Sequence, residues 1–220
     1  MVLWVFGYGS LIWRPSFNYD ERVIGYIKDY RRVFYQGSVD HRGTIEQPGR
    51  TVTLEQHEGA MTWGAAFRVS GHDEEKIVMA YLDVRERAYD VKAFLNFYTV
   101  DSPDTPAITG VLTYIATSSP ANKSYLGPAS LEEMARQIAT SHGPSGPNHE
   151  YLFRLEEALE EIGVECVDEG VVELANEVRI VFASLNPPFN SKVVDGLNGQ
   201  HLTSQGHQLA SPRHRVMVKS

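Results

Sequence analysis

Cysteine is almost missing from this chain. Cys166 is the single one in 220 residues, which excludes an internal disulfide and any metal site built on several thiolates. Positive charge is scarce too: 20 Lys and Arg stand against 28 Asp and Glu, a formal charge of −8. A nucleic-acid surface needs clustered cations to neutralise phosphates, so no nucleic-acid partner is expected. The one basic pair, Arg31-Arg32, runs straight into Val33-Phe34-Tyr35 and reads as part of a strand. No apolar run approaches the ~20 residues that span a bilayer, and the N-terminus lacks the basic-then-apolar pattern of a signal peptide. No membrane partner is expected, and the chain is expected to be a soluble protein of a reducing compartment, the cytosol. No lysine occurs before Lys28, so the glycines near the start do not form a Walker-type loop.

What is present is ordinary in amount, with 42% apolar and 22% charged residues, the proportions of a globular protein. The length suits one sizeable domain and is short for two. From Val2 to about Tyr125 the pattern is strand-like. Runs such as Thr51-Val52-Thr53-Leu54, Thr62 to Phe67 and Gly110 to Ile115 are rich in β-branched and aromatic residues. Such closely spaced strands predict a curved antiparallel sheet or small barrel. One helix interrupts them, starting from a cap and acidic turn at Ser70 to Glu75, with Ile77, Val78, Tyr81 and Leu82 at helical spacing.

After Tyr125 the chain turns helical. Ser130 and Glu133 fit a capping box ahead of Leu131, Met134, Ala135 and Ile138. Gly143-Pro144-Ser145-Gly146-Pro147 stops that helix. Asn148 is expected to cap the next, with Tyr151, Leu152, Leu155, Ala158, Leu159 and Ile162 on one face and Gly163 as its end. A last helix is expected from about Asp168 to Ala183. Residues 186–220 are polar and carry few large apolar side chains, so they read as a poorly ordered tail. Its three histidines (His201, His207, His214) lack regular spacing and do not suggest a metal site.

Two stretches raise chemical questions. In Val5-Phe6-Gly7-Tyr8-Gly9-Ser10-Leu11 a strand ends in two glycines. A dinucleotide fingerprint needs a third glycine and a helix start, and Ile12-Trp13-Arg14-Pro15 offers neither. The turn is either a buried strand leaving the core or a small concavity of backbone N–H groups suited to a carboxylate. The second stretch is Ala80-Tyr81-Leu82-Asp83-Val84-Arg85-Glu86-Arg87. Glu86 falls at the C-terminal end of its helix, where the macrodipole disfavours negative charge. It is either a solvated residue balanced by Arg85 and Arg87, or a buried carboxylate of raised pKa suited to taking and returning a proton.

Taken together, Val5 to Trp13, Gln36 to Gly43, Pro48 to Leu54, Tyr81 to Arg87, Tyr125 to Ala129 and Gly143 to Phe153 resemble the ChaC family, the glutathione-specific branch of the γ-glutamylcyclotransferases. The six motifs run in order from about Val2 to Leu159. The resemblance implies an α+β protein of γ-glutamylcyclotransferase-like fold, a small and mostly antiparallel β-barrel flanked by α-helices. That domain is expected over residues 1–185, followed by the tail at 186–220. It further implies a reaction on the small-molecule substrate glutathione, which yields 5-oxoproline and cysteinylglycine without metal or organic cofactor. The chain would act as a monomer or weak homodimer.

By the same resemblance Glu86 matches the catalytic carboxylate, and Tyr8, Gly9, Ser10 and Leu11 match a pocket for the γ-glutamyl group. Tyr151 matches an active-site tyrosine, although its place on a helix's apolar face suits the core equally. Arg14 and Arg42 are candidates for the glycine carboxylate of glutathione, or else ordinary ion-pair partners. Two departures are visible: the family often has Lys, Gly and Tyr after the glutamate, where this chain has Arg87-Ala88-Tyr89, and the long polar tail is extra relative to shorter relatives, so the resemblance assigns nothing to it. Rival readings are a cyclotransferase for other γ-glutamyl amides and a binding module without catalysis.

Overall fold

A computed structural model describes residues 2–185. The expected tail and its histidines lie outside the described residues. Five strands close a barrel in the order β1-β3-β2-β4-β5. These are β1 (Val2–Gly7), β2 (Glu21–Ser38), β3 (Gly49–Ser70), β4 (Val91–Tyr98) and β5 (Ile108–Ile115). All ladders are antiparallel except the closing one, where β1 meets β5 in parallel with Val5 opposite Leu112. The barrel closes where β1, the first strand in that order, meets β5, the last.

The two short strands expected at Thr51 to Leu54 and Thr62 to Phe67 are one long strand, β3. The polar residues between them lack a core-facing pattern; Glu55 and Gln56 still pair with β2, while residues 57–60 lie where the ladder is interrupted. The ladder's register slips around Asp29, whose carboxylate accepts a hydrogen bond from the Gly59 N–H at 2.9 Å. A second slip, between Val33 and Gln36, bends β2. Such bulges re-aim side chains and are common beside functional sites. The loop joining β2 to β3 carries Asp40, His41 and Arg42 to the barrel's rim.

Four helices cover the barrel: α1 (His72–Arg85), α2 (Leu131–Thr140), α3 (Asn148–Ile162) and α4 (Glu169–Leu185). Helix α1 begins at Gly71, which makes no side-chain cap. It packs Val78 and Leu82 against Val5, Val69 and Leu112. Ile77, expected on that face, is instead 61% exposed. The buried stripe runs 78, 82 and then onward at three- and four-residue steps, and Ile77 is about 100° away from Val78 around the helix.

Ser130 and Glu133 form the expected capping box of α2. Helices α2, α3 and α4 share one core with the barrel, including Ile138, Leu152, Leu155, Leu159, Leu174 and Val178. Between α2 and α3, β6 (His142–Gly143) and β7 (Gly146–Pro147) form a minimal hairpin.

Asn148 does not cap α3. Pro147 takes the cap position, and the Asn148 side chain reaches across to β3. Its Oδ1 accepts from the Arg50 N–H at 2.7 Å, and its Nδ2 donates to the Arg50 carbonyl at 2.9 Å. This buried amide completes a backbone ladder where no strand is available, a stronger demand on it than one orphan donor at a helix start.

Candidate active site

The ends of β1 and α1 meet at a cavity of about 300 Å³, within the range of small-molecule sites. Five of the six sequence motifs supply its lining, among them Ser10, Gln36, Thr51, Glu86 and Tyr151. The sixth acts behind the wall: the Gly127 carbonyl accepts from Arg50 at 2.9 Å, and Leu126 N–H donates to the Tyr35 carbonyl at 2.8 Å. A hollow of about 30 Å³ shares Ser10, Glu86, Tyr89 and Tyr151 with the cavity and reaches Tyr8, Gly9 and Leu11.

The turn after β1 is a single 3₁₀ turn over Ser10–Ile12. Its later N–H groups are used internally, Ile12 donating to the Gly9 carbonyl and Arg14 to that of Ser10, both at 2.9 Å. The N–H groups at its start precede any helical acceptor and so have no partner within the turn. Gly9 is required by crowding, since a Cβ there would lie 2.7 Å from Val52 Cγ2 and 2.9 Å from the Tyr151 hydroxyl. Tyr8 is held from both sides: its hydroxyl donates to the Tyr114 carbonyl at 2.6 Å, and its own carbonyl accepts from buried Arg32 at 2.8 Å. Leu11 places its side chain in the core with Leu82.

Glu86 follows Leu82 by four residues, and its N–H donates to the Leu82 carbonyl at 2.8 Å. That spacing continues the buried stripe of α1, so the side chain turns inward and is 13% exposed. The solvated reading of this helix end is therefore overturned. Arg85, at three residues from Leu82, is 16% exposed, and its Nε meets Glu86 Oε1 at 3.0 Å. Its Nη2 donates to Ser10 Oγ at 2.9 Å, and its Nη1 to the carbonyls of Arg14 and Pro15 at 2.7 and 2.9 Å. Arg87 also lines the cavity and pairs with Asp40 at its rim.

Burial raises the Glu86 pKa above the usual carboxylate value, and the Arg85 charge opposes part of that rise. Around the carboxylate stand the phenols of Tyr8, Tyr89, Tyr114 and Tyr151, each held in its neutral form by burial. Tyr151 lines both cavity and hollow while packing on Trp13 and Phe34. It belongs at once to the buried core and to the cavity wall. Tyr89, which sequence reasoning left without a role, donates to the Val52 carbonyl at 2.8 Å; its signal was its position three residues after Glu86.

Both candidate arginines line the cavity, in different states. Arg42 Nη1 donates to the Pro147 carbonyl at 3.0 Å and to Glu150 at 3.2 Å. The Arg14 guanidinium is exposed and has no hydrogen-bond or ion-pair partner among the described residues.

The motif residues that suggested a family therefore converge on one cavity, and comparison with known proteins agrees. A family model describing ChaC-like proteins matches residues 3–181. The chain belongs to the ChaC-like family. It is 53% identical to γ-glutamylcyclotransferase 2-1 of Arabidopsis thaliana over 220 residues, covering 99% of this chain and 100% of that protein. Human glutathione-specific γ-glutamylcyclotransferase 1 is 45% identical over 189 residues, covering 84% of this chain and 82% of that one. A crystal structure of the yeast γ-glutamylcyclotransferase specific to glutathione superposes with a TM-score of 0.70 at 28% identity, over 83% of this chain and 100% of that one. The barrel and its helices thus form a γ-glutamylcyclotransferase fold. Among the described residues no helix is long and apolar enough to cross a membrane.

Proposed function

We propose that this ChaC-like chain is a glutathione-specific γ-glutamylcyclotransferase that releases 5-oxoproline and cysteinylglycine, with Glu86 as its proton carrier. The observation that carries the mechanism is the placement of a buried carboxylate in the same cavity as the 3₁₀ turn, the two joined through Arg85.

In this reaction the α-nitrogen of the glutamyl group attacks its own γ-carbonyl. A C–N bond closes the five-membered lactam, and the C–N bond to cysteine breaks. Nucleophile and electrophile are already tethered, so the substrate carries much of the entropic advantage itself. The α-ammonium must first lose a proton. Over the whole cycle it gives up two, and the departing nitrogen gains two if it leaves as an ammonium. One carboxylate that alternates between its ionised and protonated forms balances both transfers. A pKa raised towards neutrality suits that alternation, and burial supplies the rise.

The N–H groups at the start of the Ser10–Ile12 turn are suited to the substrate's carboxylate or to the oxygen of the γ-carbonyl as it gains charge. Tyr151 offers a hydroxyl beside Gly9 at the same end. The far end of the tripeptide carries a glycine carboxylate. Arg14 is the better placed receptor for it, because Arg42 is already engaged by Pro147 and Glu150.

Incubation of the purified protein with glutathione, followed by detection of cysteinylglycine and 5-oxoproline, tests the activity. Release from γ-glutamyl-alanine at a comparable kcat/KM would replace the glutathione-specific reading with a broader γ-glutamyl amide one.

A further inference from the structure

We propose that Arg85 is a positioning residue of this reaction, whose single guanidinium sets both the ionisation of the proton carrier and the placement of the substrate turn. The inference rests on the function proposed above and extends it to a residue outside the set assigned to the substrate.

Arg85 is the last residue of α1 and lies on the helix's buried stripe, three residues after Leu82. Surface arginines at helix ends ordinarily project into solvent, where a pair with a neighbouring carboxylate contributes little. This one does not project. Its three nitrogens reach separate targets: Nε meets the Glu86 carboxylate at 3.0 Å, Nη2 the Ser10 hydroxyl at 2.9 Å, and Nη1 the Arg14 and Pro15 carbonyls at 2.7 and 2.9 Å. The Tyr81 hydroxyl, one turn earlier on α1, closes the set at 3.2 Å from Nη1.

The planar fork thereby fixes the distance between the carboxylate and the glycine turn, reaching from Arg85 to Ser10 across 75 residues of sequence. Lysine cannot do this, because an ammonium is one compact donor group and not a fork of fixed geometry. The carbonyls it holds belong to the segment that also presents Arg14 to the cavity. Displacement of the guanidinium would therefore disturb three parts of the site together.

The electrostatic consequence is specific. The groups facing Glu86 are the phenols of Tyr8 and Tyr89, Tyr114 from β5 and Tyr151 from α3, all neutral in the working pH range. Arg85 is the cation in direct contact with it. Burial pushes the carboxyl towards its protonated form, which cannot accept the substrate's ammonium proton. Arg85 opposes that push.

The test measures kcat and kcat/KM for glutathione between about pH 5 and 9 for the wild type, Arg85→Gln and Arg85→Lys. An arginine beside a carboxylate lowers its pKa by about 1–3 units. The acid limb of kcat/KM should therefore move upward by about that much in Arg85→Gln. Arg85→Lys should keep the limb within about half a unit of the wild type, since its charge remains, yet lose tenfold or more in kcat at every pH. The same ionisation is read without substrate by ¹³C NMR, as the glutamate carboxyl resonance that disappears in Glu86→Gln.

An acid limb and carboxyl titration in Arg85→Gln that coincide with the wild type would overturn the assignment, as would Arg85→Lys with unchanged kcat. A merely structural arginine would lower the folded fraction without moving either midpoint. If Arg85→Gln does not fold, Arg85→Lys decides alone through kcat. If the wild type releases no cysteinylglycine at any pH, the function fails, and the NMR titration still decides whether Arg85 governs Glu86.

Discussion

At the scale of single residues, the proposed reaction gives Glu86 and Arg14 opposite surroundings. Glu86 is withdrawn from water, and its folded-state pKa lies above the unfolded value because burial outweighs the pull of Arg85. The folded state then binds more protons than the unfolded one between those two pKa values, so stability falls as pH rises through that window. Glu86→Gln should accordingly melt above the wild type at pH 7, and the gap should narrow as the pH is lowered towards 4; a gap that widens on acidification would mean that Arg85 dominates. Arg14, by contrast, is exposed and unengaged among the described residues. A charge-assisted contact to a carboxylate contributes about 1.5–3 kcal/mol. Arg14→Gln should therefore lose about 10- to 100-fold in kcat/KM for glutathione and little for glutathione amide. Equal losses on both substrates would place the glycine carboxylate elsewhere.

At the scale of elements, the helices show what spacing can and cannot tell. The stripe through Val78 and Leu82 already pointed to Arg85 and Glu86 at steps of three and four, yet two arginines flanking a glutamate look like a solvated helix end. Only the barrel packed against α1 decides between those meanings, because burial is set by a partner distant in sequence. The capping box of α2 was readable because Ser130 and Glu133 satisfy each other locally. Asn148 was misread for the converse reason: it has a cap's chemistry and a cap's position, but its partner is the Arg50 backbone, 98 residues away. Asn148→Ala strands a buried N–H and carbonyl, each costing about 1–3 kcal/mol. Thermal or urea unfolding should show a loss of about 2–6 kcal/mol. A loss under 1 kcal/mol would mean that water replaces the amide and that the α3–β3 junction is not closed by this residue. The same reasoning covers β3, whose two apolar runs were visible while the polar segment joining them was not.

At the scale of the whole molecule, the closed barrel brings to one rim a turn from its first strand, the loop between its second and third, and the ends of α1 and α3. None of these segments is a site alone, which is why the motifs meant little singly and more in register. A ligand gripping all of them should stabilise the fold as a unit. With Glu86→Gln, which is expected to bind without turning over, glutathione at a hundredfold excess over Kd should add about 2.7 kcal/mol of stability, read as a rise in Tm that cysteinylglycine alone does not produce. No rise would mean that the cavity does not hold the tripeptide in this variant. The most direct test of the central claim is the rate of 5-oxoproline and cysteinylglycine release from glutathione by the wild type and by Glu86→Gln. Removal of a general acid–base group costs about 10²–10⁴-fold, and a loss of that size in a folded variant is the predicted result. A folded Glu86→Gln protein that turns over glutathione within a few-fold of the wild type would contradict it.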